Sequence, residues 1–338
     1  MYSILRPLLF RLEAETAHQL TLQGLRVAGN FAPSNWLLKQ IYQVPSRPVE
    51  AFGLTFKNPV GLAAGYDKDG IAIKGLAALG FGHLEIGTVT PEPQAGNPRP
   101  RVFRLVEDEG VINRMGFPSQ GMPNVERHIS NLRGQRSAII GINLGKNKET
   151  PIEQAAQDYI GLMRRLIYLA DYLTINISSP NTVGLRRLQG REMLEKLLGT
   201  IQKEREQIAL GRGGNAPILV KLSPDLNDEE LEDAIGVILD KGMDGVIATN
   251  TTLAREGVSS KYRGETGGLS GSPLAAGSEV VLRQVVKLVN GKVPIISVGG
   301  IMSAEAAKRR LNMGAHLIQI YTGLIYQGPG LVKKILEQ

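Results

Sequence analysis

The residues in this sequence that could do chemistry recur at one kind of place, the end of a compact run of Val, Ile and Leu. Asp67 and Lys68 follow PVGLAAG (59–65), Thr88 lies near the end of HLEIGTV (83–89), Asn143 lies near the end of SAIIGINLG (137–145), and Lys146 follows it. Asn176, Ser178, Ser179, Asn181 and Thr182 end YLTINIS (172–178) and continue past it, and Lys221 lies in PILVKLS (217–223). Thr249, Asn250 and Thr251 close DGVIAT (244–249), while Tyr321, Thr322 and Gly323 follow AHLIQI (315–320). A set rich in amides and hydroxyls and poor in carboxylates suits a planar polar heterocycle better than a metal ion. Singly, each of these is also an ordinary strand end or helix cap; the repetition is what argues for a shared rim. Gly299 and Gly300, after VPIISVG (293–299), and Thr322–Gly323 bring backbone N–H groups to helix starts, which suits a phosphate as well as two tight turns.

Other chemistries find no support. The chain has no cysteine, which excludes disulfides, thiolate metal sites and a cysteine nucleophile. His18, His83, His128 and His316 are far apart and show no metal-ligand spacing, so no metal site is expected. No G-x-S-x-G elbow, Walker-type loop or G-x-G-x-x-G turn after the first strand occurs. Asp67 and Asp69, flanking Lys68, read as loop-shaping residues rather than a paired acid and base.

The elements that must position the rim follow from the apolar runs. There are eight, without clean alternation, as expected of strands buried on both faces of a parallel sheet. Amphipathic helices are predicted between them at 152–169, 191–209, 228–241, 275–289 and 303–313, with Asn227 as an N-cap ahead of Asp228, Glu229 and Glu230. Together they predict an α/β fold, a (β/α)8 TIM barrel, a fold of about 250 residues whose chemistry sits at the strands' C-terminal ends. A doubly wound sheet is the rival fold. GLTF (53–56) could be half of a hairpin, and the excursion 90–135 is too long for a plain connector and is expected to be a functional loop. Residues 1–42 read as two or three amphipathic helices forming a small N-terminal extension, 43–50 as a linker, and 51–338 as the barrel.

The 338 residues carry 39 Lys and Arg against 32 Asp and Glu, a net charge of +7. The doublets Arg164–Arg165, Arg186–Arg187, Arg309–Arg310 and Lys333–Lys334 are dispersed and read as solvated surface, so no nucleic acid is expected. No apolar run approaches the roughly 18–20 residues that span a bilayer, and no cleavable leader is evident; the chain is expected neither to span a membrane nor to be secreted.

The motifs NPVGLAAGYDKDG (58–70), EIGTVTPEPQAGNPRPRVFRL (85–105), INRMGF (112–117), INISSPNT (175–182), IATNTT (247–252), GGLSG (267–271), SVGGI (297–301) and QIYTG (319–323) occur together and in order. In these the chain resembles the class 2 dihydroorotate dehydrogenases, the membrane-associated, quinone-reducing class, over essentially its whole length. Tyr66, Val183 and Pro118 depart from the pattern, and none of them removes a catalytic group.

The resemblance implies FMN in the barrel mouth and oxidation of dihydroorotate to orotate in pyrimidine biosynthesis, with ubiquinone or menaquinone as final acceptor. It makes Ser179 the catalytic base, taking the C5 proton while hydride leaves C6, with Thr182 and a water near Phe117 as relay; the residues alone favour Ser178 and Ser179 as turn caps. It implies substrate contacts at Lys68, Asn113, Arg114, Met115, Gly116, Phe117, Asn176, Asn181, Asn250 and Thr251. It implies FMN contacts at Ala64, Gly65, Lys68, Thr88, Asn143, Asn176, Lys221, Thr249, Gly271, Gly300, Tyr321 and Thr322, with Lys221 near flavin N1 and O2. His18 and Arg104 match positions near the quinone head. The absence of cysteine points the same way, since class 1 relatives use cysteine as base. The extension would then lie on the inner face of the cell membrane as a peripheral attachment, with no obligate protein partner; a helical hairpin packed on the barrel is the plain alternative. Another flavin barrel, or a non-catalytic membrane-surface protein that has kept the barrel, are the rival functions.

Overall fold

The computed structural model describes residues 2–132, 134, 136–212 and 215–338; positions 1, 133, 135, 213 and 214 of the ranges expected above lie outside the described residues. Three helices come first, α1 (Tyr2–Arg11), α2 (Ala14–Asn30) and α3 (Ala32–Ile41), then a hairpin of β1 (Val49–Ala51) and β2 (Leu54–Phe56). The following elements are β3 (Val60–Leu62), α4 (Ile73–Ala77), β4 (His83–Val89), β5 (Val102–Leu105), β6 (Gly110–Asn113), α5 (Met122–Ser130), β7 (Ile139–Leu144), α6 (Ala155–Leu166) and β8 (Tyr172–Asn176). The chain then runs through α7 (Arg191–Arg212), β9 (Ile218–Leu222), α8 (Asp228–Asp240), β10 (Gly245–Ala248), β11 (Gly268–Gly271), α9 (Ala275–Val289), β12 (Ile295–Val298), α10 (Ala304–Asn312), β13 (Leu317–Ile320), α11 (Thr322–Gln327) and α12 (Leu331–Leu336).

Strands β3, β4, β7, β8, β9, β10, β12 and β13 close into a parallel barrel. These are the eight apolar runs, and nearly all their residues are buried, because helices cover the outside and side chains fill the inside. The five expected helices form, and α8 opens with a full capping box in which the Asn227 side chain accepts from Glu230 N and the Glu230 carboxylate accepts from Asn227 N.

The barrel's lower end is closed by large rings. Phe52 and Phe56 of the hairpin pack against Tyr172 and His83. Gly61 and Gly141 make room for them, since a Cβ at either would drive into the His83 or Tyr172 ring. Burial pushes His83 down to about 3, so it is a neutral core ring.

Two features lie outside the strand pattern read from sequence. The excursion 90–135 is not a bare loop; it contributes β5, β6 and α5. β5 and β6 join β11 in a small antiparallel sheet, with Asn113 opposite both Val102 and Gly268. Val49 and Glu50, placed in the linker, belong to β1. The N-terminal helices rest on α4, where Gly29 and Gly75 face each other so closely that a Cβ on Gly29 would strike the Gly75 backbone and one on Gly75 the Leu25 carbonyl.

Candidate active site

A single cavity of about 520 Å³ opens at the C-terminal ends of the barrel strands and continues between the first two helices. Its lining includes Ala64, Gly65, Lys68, Thr88, Asn176, Ser179, Lys221, Thr249, Asn250, Thr251, Gly271, Gly300, Tyr321 and Thr322 from the strand ends. Asn113, Met115, Gly116, Phe117 and Asn181 come from the loops over the mouth, and Leu5, Leu9, Ala17, His18, Leu25 and Arg104 from the extension and β5. Of the residues expected to touch substrate, flavin or quinone, Asn143 and Arg114 are absent from that lining, as is the expected relay residue Thr182.

Asn143 lies one layer below it, fully buried, with Nδ2 donating to Glu85 Oε1 at 2.7 Å and Oδ1 accepting from Thr88 Oγ1 at 2.6 Å. Arg114 corrects the expectation. Its guanidinium pairs with Glu265 at 2.6 Å and lies over the Phe103 ring at 4.6 Å. Asn113, one residue earlier, faces the cavity, and the alternation of an extended chain sends its neighbour to the other side.

Ser179 is 5 % exposed and faces the cavity; its Oγ accepts from Asn181 N at 3.2 Å, so it caps the turn at Pro180 and still presents its proton. Ser178 is different. Its hydroxyl donates to Asn176 Oδ1 at 3.2 Å and accepts from Asn250 Nδ2 at 2.9 Å, which commits it to holding two amides. Thr182 is buried behind the lining. Asp67 and Asp69 shape their loop as read: Asp67 accepts from Ile71 and Ala72 N, and Asp69 from Gln120 N.

The electrostatics single out two lysines. Lys68 donates to Gly65 O at 2.6 Å, and burial pushes its ammonium down to about 8 against the pull of Glu15 and Asp69. Lys221 is 5 % exposed, with Nζ 3.7 Å from Glu85 Oε1 on the cavity floor. Of the two residues expected near the quinone head, His18 is driven down to about 3 by burial and by the charge of Lys68, so its imidazole is neutral and its ring meets Tyr66 edge-on at 4.9 Å. Arg104 is largely engaged in closing α1: it donates to Leu9 O at 3.1 Å, to Phe10 O at 3.3 Å and to Leu12 O, and lies 4.7 Å from the Phe10 ring centroid.

Sequence reasoning missed several charged residues that hold the site. Arg310 was grouped with the solvated doublets, yet it is fully buried, donating to Gly299 O, Ala275 O and Ser278 Oγ behind the Gly299–Gly300 turn. Its place three residues after Ala307, on the buried face of α10, was the available signal. Arg186, another doublet member, bridges Ser178 O and Thr251 O. Glu15 of α2, 3 % exposed, receives Arg101 through Nε at 3.0 Å and Nη2 at 2.7 Å, while Arg101 Nη1 donates to Ala95 O and Asn97 O. Glu85, an acid inside an apolar strand, was the easiest to have noticed.

The donor set fits a flavin nucleotide. A cationic floor, amides and hydroxyls around it, and glycine turns at positive φ (93° at Gly271, 68° at Gly300) at one end provide for a polar ring and an anionic tail. Among the described residues no cluster of His, Cys, Asp and Glu could hold a metal ion.

Comparison with known proteins gives one answer. A family model described as dihydroorotate dehydrogenase matches residues 47–338. A protein of Thiobacillus denitrificans named dihydroorotate dehydrogenase (quinone) is 47% identical over 339 residues, covering 100% of this chain and 99% of its own. Its namesake from Shewanella woodyi is 47% identical over 338 residues, covering 99% and 98%. The crystal structure of the Eimeria tenella enzyme in complex with ferulenol is similar with a TM-score of 0.85 at 39% identity, over 96% of this chain and 89% of that one.

Proposed function

The chain belongs to the dihydroorotate dehydrogenase family, and from that premise we propose that the cavity holds FMN with dihydroorotate against it and receives a quinone between the first helices. The protein oxidises dihydroorotate to orotate in pyrimidine biosynthesis with a quinone as electron acceptor. A flavin is the cofactor the family implies; the mononucleotide is supported by the glycine turns at Gly271 and Gly300, which suit a phosphate at one end of the cavity. Held by these residues, a flavin would supply hydride acceptance from the substrate and electron transfer to the quinone.

The chain's own residues supply the rest. Lys68 offers a cation to the substrate carboxylate, and Asn113, Asn176, Asn181 and Asn250 pair with the pyrimidine edges. Ser179 takes the C5 proton as it releases its own through Thr182 and a water near Phe117 to solvent, and the N–H of Asn181 on its oxygen stabilises the charge that builds there. Lys221 stabilises negative charge on the reduced ring. His18, neutral, offers the quinone a hydrogen bond without a charge to desolvate.

Peripheral attachment to the inner face of the membrane is supported by the apolar side chains that the first three helices leave exposed: Ile4, Leu8, Leu20, Val27, Phe31, Trp36 and Leu37 are all more than half exposed. Among the described residues no helix is long and apolar enough to cross a membrane.

The observation that carries this reading is the continuity of one cavity from Ser179 and Lys221 to the apolar inner faces of α1 and α2. The test is spectroscopic. The purified protein is yellow, bleaches with dihydroorotate under anaerobic conditions and recolours with a ubiquinone analogue. Failure to bleach overturns the substrate; bleaching without recolouring overturns the quinone route.

A further inference from the structure

Among the buried acids, Glu85 has an unusual position. It sits at mid-strand in β4, 1 % exposed, and four side chains converge on it inside the barrel. Asn143 Nδ2 approaches Oε1 at 2.7 Å and Lys221 Nζ approaches the same oxygen at 3.7 Å. Gln319 Nε2 and Tyr172 OH donate to Oε2 at 2.8 and 3.3 Å. An ionised carboxylate only accepts, so every neighbour must turn a donor towards it.

We propose that Glu85 is the positioning residue that decides which way the amides of the substrate site face, and therefore which atoms they offer to the pyrimidine ring. The direction passes upward link by link. With Nδ2 spent on Glu85, Asn143 points Oδ1 to the cavity floor, where it accepts from Thr88 Oγ1 at 2.6 Å and from Asn176 Nδ2 at 2.9 Å. The Thr88 proton is thereby used, and its oxygen accepts from the same Asn176 Nδ2 at 3.0 Å. Asn176 must then turn Oδ1 to the loops, where it accepts from Ser178 N, Ser178 Oγ and Asn250 Nδ2. Asn250 in turn aims Oδ1 at Thr251 N, 2.8 Å away.

Asn143, Thr88 and Asn176 are all at most 5 % exposed, so water competes little for these bonds. At the far end Ser178 N and Thr251 N are backbone donors and agree with the chain. Between them, the Asn143 amide and the Thr88 hydroxyl could both run the other way. At the barrel floor it is the carboxylate that forbids it, as the two backbone donors do at the loops.

The inference rests on the reading that the site binds orotate, and the test separates the two. Orotate is titrated into flavin-loaded enzyme and its dissociation constant read from the flavin absorbance change, with flavin content as the check on folding. Wild-type protein that does not bind orotate overturns the reading of the site. Glu85→Gln lets an amide nitrogen face Asn143 and frees Asn143 to turn over, nitrogen against the Asn176 Nδ2 donor that the loop N–H groups hold in place, so orotate binding weakens about tenfold, the effect of one mispaired buried amide. Simple electrostatics predicts the opposite sign, because removing a negative charge beneath an anion site should tighten orotate. Unchanged or tighter binding by Glu85→Gln overturns the proposal.

The pair Glu85→Gln with Asn143→Asp makes position 143 the pure acceptor and restores the direction. Its affinity should return to within about threefold of wild type, the scatter expected of a conservative exchange. Should Glu85→Gln alone not fold with flavin, the double variant carries the test, and affinity about tenfold or more below wild type overturns the proposal.

Discussion

Replacing Arg101 by methionine removes both hydrogen bonds that reach the buried Glu15 carboxylate from its best partner, and leaves the Ala95 and Asn97 carbonyls without their donor. Taking one partner from a buried ion pair costs about 3–5 kcal/mol, because the remaining charge stays buried without compensation. The lower end applies here, about 3 kcal/mol, since Arg99, itself half exposed, still reaches Glu15 Oε1 at 3.0 Å. At about 2 °C per kcal/mol for a chain of this size, the thermal midpoint of the holoenzyme falls by about 6 °C. Removing both charges, with Arg101→Met and Glu15→Leu together, should cost less than the two single changes added, because no lone charge remains. The pH dependence has a fixed sign. Burial opposes ionisation of Glu15, yet the Arg101 hydrogen bonds and the charges of Arg101, Arg99 and Lys68 hold its carboxyl below 4.5. A depressed carboxylate contributes stability that is present above its unfolded value and is lost as pH falls through the folded one. The gap between wild type and Arg101→Met should therefore be constant at neutral pH and close below pH 4.5. Strict additivity of the two single variants, or a gap independent of acid, would refute the reasoning.

Three further outcomes are expected. Ser179→Ala slows anaerobic flavin reduction by about 10²–10⁴ while orotate affinity stays within about threefold, and equal losses in both would assign the serine to binding instead. For dihydroorotate, kcat/KM falls as pH rises through about 8, because Lys68 is cationic below that value and neutral above it; a profile flat to about pH 9.5 removes Lys68 from carboxylate binding. Trp36→Glu with Leu37→Glu, two exposed side chains outside the cavity, lowers sedimentation with anionic vesicles about tenfold or more and leaves flavin reduction by dihydroorotate unchanged. Undiminished sedimentation would place the attachment elsewhere.

The barrel was legible because parallel strands buried on both faces must be continuously apolar, and each of the eight runs contains one strand. Strands β5, β6 and β11 were not, because short segments such as GVIN and GLSG carry no period and owe their pairing to each other and to the cavity they roof. Most of the expected site residues converge because strand ends of one barrel share one rim. Arg114 shows the limit of carrying a motif over as a block: it follows the end of β6, and its side chain leaves the cavity for Glu265 while Asn113 before it and Met115 after it line the cavity. The charged scaffold was hidden for another reason. Glu15 and Arg101 lie 86 residues apart, and nothing local to either announces the other. Arg310 lies on a polar-looking helix, and only the carbonyls of a distant turn explain its burial.

The backbone contact at Gly29 and Gly75 has a bearing on how this chain can be cut. A surgeon of the gene would divide it after α3, freeing a catalytic core from its greasy handle. That incision would strip Gly75 of the Leu25 and Gly29 backbone packed against it, and would take from Arg101 the carboxylate of Glu15. The handle is part of the vessel's wall, and a shortened enzyme needs a new cover for Gly75 and a new anion for Arg101 before it can be judged on its chemistry.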